Sequence, residues 1–288
     1  MYIHLDSEYK LLLEIYKDRF LQHADLSILR SQVLSIAEEA GQIILSHFTS
    51  RVETITKSDQ SPLTLADLES NSYILNALTD LTPNVPVISE ESLSIDFNQR
   101  KSWKTFWLVD PLDGTKEFIK GTGYFTVNIA LISEGKPILG VIEVPYVQQV
   151  YYASNEEAFF WDRKKGIPPK QLHVRPLNHQ QYTVVASRDH SGPAVQALCN
   201  KLPNTTLTSI GSSLKFCLIA AGEADVYLRD GNTMEWDTAA AHAVLQAAGG
   251  DVYTLDGMIL RYNKENLTNP PILSFGTDRE FWFDVYES

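Results

Sequence analysis

The chain has 288 residues, and its 44% hydrophobic content is enough for one large domain or two lobes around a buried core. Its 24 basic and 36 acidic side chains give a formal net charge of −12, which disfavours bulk attraction to nucleic acid or to an anionic membrane. A phosphate-bearing ligand therefore needs local cations or metal ions. With only two cysteines, Cys199 and Cys217, the sequence excludes a disulfide scaffold.

The first residues carry no targeting signal. The stretch "MYIHLDSEYK" lacks the basic start and apolar core of a signal peptide, and no apolar run is long enough to span a bilayer. No basic stripe with interleaved aromatic residues is present either. We therefore expect no transmembrane segment, no nucleic-acid partner and a cytoplasmic protein.

Helical patterns come first along the chain. A short helix is expected at residues 9–20, and a second follows from apolar residues at helical spacing between 29 and 48. Residues 64–81 are predicted to form the next helix, because Pro62 lies just before it. The apolar residues of the second helix are Leu29, Val33, Ile36, Ala40, Ile44 and Phe48.

Strand patterns follow these helices. Residues 86–88 and 107–109 are short apolar segments typical of buried strands. Between 125 and 144 the β-branched and aromatic content rises around a turn at Gly135, and residues 147–154 extend the strand-rich region. This part of the sequence predicts a sheet of hairpins.

Strands and helices alternate in the last third of the chain. The segments "YTVVAS" and "ADVYL" are typical of strands. Helices are predicted at 194–201, 213–221 and 238–248, and Gly249-Gly250 ends the last of them.

Residues 162–171 combine charge, glycine and two prolines, which indicates a loop near a lobe boundary. We therefore expect a helical N-terminal extension at 1–26, an α+β metal-binding lobe at 27–161 and an α/β substrate lobe at 162–288.

The stretch "WLVDPLDGTKEF", residues 107–118, ends an apolar run with two carboxylates. Pro111 cannot donate to a sheet ladder, so the strand should end near Asp110, and a tight turn brings Asp113 back to the same side. Paired carboxylates repel unless a divalent cation compensates their charge, and hard oxygen ligands, including the carbonyl of Leu112, suit Mg²⁺. The alternative is a structural Asp-rich turn with a helix cap.

Four further acidic or basic candidates lie on other elements. Glu90 and its neighbour Glu91 in "VISEES" point in different directions, so one can bind metal while the other supports it; the alternative is surface solvation. Asp237 begins the Ala-rich helix, where Asp is also an ordinary N-cap. His242, one turn later, is expected to be a packing histidine rather than a base.

Gly114 and Thr115 open the short segment "KEFIKG", whose free backbone amides can receive a phosphate if it is helical. The Thr115 hydroxyl can orient an attacking water if Asp67, from "SPLTLAD", is its hydrogen-bond partner. Without that contact Asp67 is a solvated charge on a helix face.

The four motifs "SPLTLAD", "VISEES", "WLVDPLDGTKEF" and "WDTAAAHAVLQAAGG" resemble, in order and spacing, those of the magnesium-dependent, lithium-sensitive inositol monophosphatase superfamily, from about residue 27 onwards. The segments "TKEFIKG" and "SIGSSLKFCLIAAGEADVYLR" are more similar to its bisphosphate nucleotidase branch. The resemblance implies the sugar-phosphatase fold, a layered αβαβα sandwich of an α+β and an α/β lobe, and two or three Mg²⁺ ions.

The resemblance also implies roles for individual residues. The implied metal ligands are Glu90, Asp110, the Leu112 carbonyl, Asp113 and Asp237. Glu90, Thr115 and Asp67 are the implied catalytic group. The implied substrate contacts are Leu112, Asp113, Gly114, Thr115, His190, Ser212, Lys215, Arg229 and Asp237. Without the resemblance, Lys215 and Arg229 are interpreted as solvated surface cations.

The activity implied is removal of the 3'-phosphate from adenosine 3',5'-bisphosphate, giving AMP and phosphate, and from its sulfated form, giving APS. One alternative is an inositol monophosphatase or another sugar-phosphate phosphatase, and a second is a non-catalytic nucleotide-binding protein. The resemblance further implies a monomer or weak dimer and a role in sulfur assimilation, with peripheral association at the inner face of the cell membrane as a variant of the cytoplasmic placement.

Overall fold

The structure is a computed structural model that describes residues 23–48, 54–57, 62–92, 95–187 and 192–288. The helix predicted at residues 9–20 and the candidate His190 lie outside these ranges. Within them, no helix is both long and apolar enough to cross a membrane.

Two helices cover the outer face of the first sheet. Helix α1 spans His23–Ser46 and helix α2 spans Leu65–Leu81. Both predicted helices are therefore confirmed, although α1 ends before Phe48. That side chain packs instead against the rings of Phe118 and Phe125, with centroids 5.3 Å apart in each pair. Apolar residues of α1 at helical spacing, among them Val33 and Ile44, enter one buried cluster with the sheet.

The first sheet has seven strands in the order β3-β4-β5-β6-β7-β8-β9. The strands are β3 (Val87–Ser89), β4 (Thr105–Asp113), β5 (Thr126–Ser133), β6 (Lys136–Val144), β7 (Gln149–Ser154), β8 (Glu157–Asp162) and β9 (Lys170–Gln171). Only β3 and β4 pair in parallel; the other neighbours are antiparallel. The segment 162–171, expected as a loop, thus contains a strand that extends this sheet.

Both faces of the first sheet are buried, which explains the continuous apolar run before Asp110. Because successive side chains of a strand point to opposite faces, Trp107 and Val109 pack in the cluster with α1, whereas Phe106 and Leu108 pack in a second cluster on the other face.

The second sheet has five strands in the order β11-β10-β12-β16-β14. These are β10 (Tyr182–Ala186), β11 (Thr205–Ser209), β12 (Val226–Arg229), β14 (Asp251–Thr254) and β16 (Ile272–Phe275). Strand β10 pairs in parallel with β11 and β12, and β16 pairs antiparallel with β12 and β14. Two further two-stranded ladders join β1 (Ile55–Thr56) to β2 (Pro62–Leu63) and β13 (Thr233–Met234) to β15 (Thr268–Asn269).

Helices α6 (Leu214–Ala220) and α7 (Glu235–Ala247) lie between the two sheets. Strand β6 approaches α7 so closely that a Cβ on Gly140 would be 2.3 Å from the carbonyl oxygen of Ala240. Helices α5 (Pro193–Lys201) and α8 (Arg279–Glu287) cover the far face of the second sheet, around Val195 and Trp282. The layers run helix, sheet, helix, sheet, helix, and the predicted αβαβα sandwich is confirmed.

Helix α3 (Phe97–Arg100) and helix α4 (Thr115–Ile119) are short. Helix α4 follows β4 directly, and β4 corrects one prediction. The strand does not end near Asp110, because its pairing with β5 continues to Asp113 through a register shift between those two residues. A bulge tolerates the missing N–H of Pro111.

Candidate active site

Sheet pairing brings Glu90 and Asp110 to one edge of the first sheet. Strand β3 runs parallel to β4 with Ser89 opposite Val109, and the Glu90 amide donates to the Val109 carbonyl at 3.1 Å. Asp110 is 1% exposed, and its Oδ1 accepts from the amide of Leu112 at 3.1 Å across Pro111. Both carboxylates therefore come directly after the residues through which β3 and β4 pair in parallel.

Asp237 completes a triad of acids with Glu90 and Asp110. Each of the three offers a carboxylate oxygen, and these oxygens lie within 4.8 Å of one another. Asp237 lies in the first turn of α7, where its Oδ2 accepts from the amide of Met234 at 2.8 Å. The helix begins at Glu235 and its N-cap is Met234, so the prediction of Asp237 as the N-cap is wrong. Asp237 is the third helical residue, and its carboxylate accepts from the N-cap amide while it also belongs to the acidic cluster.

Asp113 lies beside this triad but, in the part of the chain described, is not a member of it. Its Oδ2 accepts two hydrogen bonds, from the amide of Ser213 at 2.7 Å and from Nδ2 of Asn128 at 3.2 Å. The sequence did not indicate either donor. The predicted fourth acid is thus near the others and held by separate contacts.

Burial and mutual repulsion disfavour the charged forms of the three triad acids, Glu90, Asp110 and Asp237. Burial raises the pKa of Asp110 well above its usual range, and the charges of Glu90 and Asp113 raise it further. Burial, then Asp113, raises the pKa of Asp237 to about 8. Burial also raises the pKa of Glu90. A cluster of this kind needs protons or a cation to compensate it, and its oxygen donors suit a hard divalent ion.

Lys57 contacts the acidic cluster through its ammonium group. The Lys57 ammonium donates to Glu90 Oε1 at 2.9 Å and also contacts Glu91 Oε1. Burial disfavours its charge, but the hydrogen bonds to Glu91 and Glu90 outweigh that effect and raise its pKa. Glu91 accepts a hydrogen bond from the Lys57 ammonium, so the interpretation of Glu91 as a solvated surface charge is wrong. No spacing in the sequence pointed to Lys57.

Thr115 and Asp67 are hydrogen-bonded. The Thr115 hydroxyl donates to Asp67 Oδ1 at 3.2 Å and lies 3.3 Å from the carbonyl oxygen of Leu112. Asp67 is 1% exposed, and its Oδ2 accepts from the Thr64 amide at 2.8 Å. The interpretation of Asp67 as a solvated charge on a helix face is therefore wrong. Gly114 precedes Thr115 with φ +89°, a left-handed conformation that favours glycine.

The predicted nucleotide contacts Ser212, Lys215 and Arg229 lie in the second half of the chain. The Lys215 ammonium donates to the carbonyl of Ser212, and burial lowers its pKa to about 8. Lys215 is 7% exposed, so the interpretation of Lys215 as a solvated surface cation is wrong. Arg229, at the end of β12, donates to Ser187 Oγ at 3.3 Å and to the carbonyl of Asn232 at 3.4 Å.

His242 is the packing histidine that the sequence predicted. It is fully buried, with Nε2 2.7 Å from Asp251 Oδ1 and Nδ1 2.9 Å from the hydroxyl of Tyr262. Both ring nitrogens thus have protein partners away from the acidic cluster.

A model of the inositol monophosphatase family matches residues 25–275. The chain belongs to the inositol monophosphatase family. It is 45% identical over 242 residues to the 3'(2'),5'-bisphosphate nucleotidase CysQ of Escherichia coli K12, covering 83% of this chain and 96% of that protein. It is 36% identical over 262 residues to CysQ of Haemophilus influenzae, covering 90% of this chain and 97% of that one.

Solved structures agree with this membership. A crystal structure of CysQ from Bacteroides thetaiotaomicron, described as a bacterial member of the family, superposes with a TM-score of 0.76 at 38% identity, covering 86% of this chain and 97% of that one. An inositol monophosphatase of Thermotoga maritima superposes with a TM-score of 0.73 at 20% identity, covering 88% and 95%; at that identity only the fold is shared. The family resemblance of the sequence is confirmed.

Proposed function

We propose that the chain is a magnesium-dependent 3'(2'),5'-bisphosphate nucleotidase that hydrolyses the 3'-phosphate of adenosine 3',5'-bisphosphate to AMP and phosphate. The observation that carries the proposal is the triad of Glu90, Asp110 and Asp237, whose carboxylate oxygens lie within 4.8 Å of one another, beside the hydrogen-bonded pair of Thr115 and Asp67. The nucleotide is favoured over other phosphate esters because relatives 45% and 36% identical to this chain are named for that activity.

The donor set fits magnesium. The proposed ligands are carboxylate oxygens and one carbonyl, and none is nitrogen or sulfur, as a hard divalent ion prefers. Bound there, two or three Mg²⁺ ions would supply charge that stabilises the phosphoryl group and the leaving 3'-oxygen. The proposed ligands are Glu90, Asp110, the Leu112 carbonyl, Asp113 and Asp237.

The protein side chains would act on the attacking water. Because the Thr115 hydroxyl donates to Asp67, its oxygen lone pairs remain to accept a hydrogen bond from water. Glu90 lies at the same cluster and would take part in orienting that water and accepting its proton. The Gly114 and Thr115 backbone would receive the phosphate, and no protein nucleophile is required.

The nucleotide would be held from the second half of the chain by Ser212, Lys215 and Arg229, with His190 near the adenine. Lys215 and Arg229 support the proposal because the chain as a whole carries a net charge of −12, so a phosphate-bearing ligand needs local cations. The division into lobes at 27–161 and 162–288 is part of the same proposal, as is action on the sulfated nucleotide. Cytoplasmic placement, membrane association and oligomeric state stay predictions.

The test is phosphate release from adenosine 3',5'-bisphosphate and from inositol 1-phosphate in parallel, with Mg²⁺, with EDTA and with added Li⁺. We expect Mg²⁺-dependent, Li⁺-inhibited release from the nucleotide, lost in Asp110→Asn and retained in Asp80→Asn, whose side chain is exposed on α2. Preference for inositol 1-phosphate would favour an inositol monophosphatase. Nucleotide binding without release from either ester would favour the non-catalytic alternative.

A further inference from the structure

One buried amide connects the acidic cluster to the segment before α6. Asn128 is 1% exposed on β5, directly opposite Asp110 in the sheet. Its Nδ2 donates to Asp113 Oδ2 at 3.2 Å, and its Oδ1 accepts from the Ser213 hydroxyl at 2.9 Å and from the Thr126 hydroxyl at 3.0 Å. The Asn128 side chain thus donates to one carboxylate and accepts from two hydroxyls.

The Thr126 hydroxyl, which donates to Asn128 Oδ1, connects this side chain to the turn at Ser212. The Thr126 hydroxyl lies 2.8 Å from that of Ser212, a non-glycine residue held at φ +54°. The carbonyl of Ser212 in turn accepts from the Lys215 ammonium. The backbone amide of Ser213 completes this hydrogen-bond network, because it donates to the same Asp113 oxygen as the Asn128 side chain, at 2.7 Å. The connection contains no exposed side chain.

Both donors to Asp113 contact one oxygen. Oδ2 has two hydrogen bonds, and in the described part of the chain none reaches Oδ1. Two donors at separate positions fix the rotation of the carboxylate, and Oδ1 remains for a cation. Asp113 is half-buried, and loss of either donor would let its carboxylate turn.

We propose that Asn128 is a positioning residue that sets Asp113 and the Ser212–Ser213 turn in one fixed relation, so that a single amide governs both cation affinity and nucleotide affinity. The inference rests on the proposed function for its nucleotide half; the cation half stands on the geometry around Asp113. Asn128 acts through Asp113 and the two hydroxyls that it contacts.

The test compares Asn128→Leu, which keeps the volume but removes both halves of the amide, with Ser213→Ala, which keeps the amide donor to Asp113 and removes only the hydroxyl. Mn²⁺ affinity of the metal-stripped chain is measured by electron paramagnetic resonance, and KM for adenosine 3',5'-bisphosphate by phosphate release. We expect Asn128→Leu to weaken Mn²⁺ binding and raise KM by about tenfold each. Ser213→Ala should raise KM by about threefold and leave Mn²⁺ binding within about twofold of wild type.

Thr82→Val is the matched control, because it removes a buried hydroxyl that accepts from Trp107 at 2.9 Å and does not contact the acidic cluster. It should lower the melting temperature while both affinities stay unchanged. If Asn128→Leu keeps both affinities within twofold of wild type, or if Thr82→Val changes them equally, the proposal is wrong. Should Asn128→Leu fail to fold, the double variant Thr126→Val/Ser213→Ala removes both donors to Asn128, and an unchanged KM there overturns it.

The two proposals fail in different ways. A wild-type chain that releases no phosphate from the nucleotide contradicts the proposed function, yet the Mn²⁺ titration still decides whether Asn128 positions Asp113. Normal release with an unaffected Asn128→Leu contradicts only the role of Asn128.

Discussion

Protonation of the acidic cluster should govern how the stability of the metal-free protein depends on pH. Burial, with the charges of Asp113 and Glu90, raises the pKa of Asp237 from 3.8 to about 8. In the unfolded chain this carboxyl keeps its ordinary pKa, so between the two values the folded state binds the extra proton. The stability contributed by that proton is fully present below the unfolded pKa and is lost as the pH rises through the folded pKa.

The size of the loss follows from the two pKa values. For Asp237 alone, raising the pH from 5 to 8 should lower the free energy of unfolding by about 3–4 kcal/mol. In a chain of 288 residues this corresponds to a fall in melting temperature of about 6 °C. Because Glu90 and Asp110 interact with Asp237, the protons belong to the cluster rather than to one site.

The assay is thermal unfolding in EDTA between pH 5 and pH 8 for wild type, Asp237→Asn and the surface control Asp80→Asn. Asparagine resembles the protonated acid and still accepts from the Met234 amide, so Asp237→Asn should be more stable than wild type at pH 8 and should flatten the pH dependence. Excess Mg²⁺ should stabilise wild type more at pH 8 than at pH 5. Parallel curves for wild type and Asp237→Asn would refute the reasoning.

Three other outcomes are expected. Thr115→Val removes the hydroxyl that donates to Asp67 while keeping its shape, so kcat should fall about 10²-fold with little change in KM, and an unchanged kcat in the phosphate-release assay contradicts the role. Because burial lowers the pKa of Lys215 to about 8, nucleotide KM should rise above pH 8 in wild type. The KM of Lys215→Met should be independent of pH and about tenfold above the wild-type value below pH 8, and a KM that rises with pH in that variant would count against this role of Lys215. Arg163 contacts both oxygens of the buried Glu143 at 2.7 and 2.8 Å, and Arg163→Met should cost about 3 kcal/mol at pH 8. Burial raises the pKa of Glu143 to about 7, so the carboxyl is protonated in the folded state at pH 5 and the cost of Arg163→Met should shrink there. Equal losses of stability in thermal unfolding at both pH values would exclude that explanation.

Much of the cluster could be predicted from residue type and local pattern. Two short apolar segments, each followed by an acid, were predicted as buried strands, and the parallel pairing of β3 with β4, which the pattern did not predict, brings Glu90 and Asp110 together. The Ala-rich pattern predicted a helix near Asp237, although the helix begins three residues earlier than expected, at Glu235. The strands and the helix could be predicted because each depends on a period of apolar residues, which the sequence carries directly.

Other residues of the site depend on contacts between distant segments. Asn128 lies in a strand of apolar neighbours, where one polar side chain gives no sign of its partners until β5 is aligned with β4. Lys57 reaches Glu90 from the region of the short β1–β2 ladder, whose strands of two residues each are too short for a periodic signal. Register and side-chain reach decide both contacts, and neither is a property of a local window.

The bulge in β4 explains why two acids three positions apart can share one side. In a regular strand such residues point to opposite faces. Here β4 advances three residues, from Asp110 to Asp113, while β5 moves two, from Asn128 to Thr126, so β4 contains one extra residue. That residue reverses the alternation and returns Asp113 to the face of Asp110, where Asn128 contacts it. The proline that suggested the end of a strand therefore lies within the irregularity that brings the two carboxylates together.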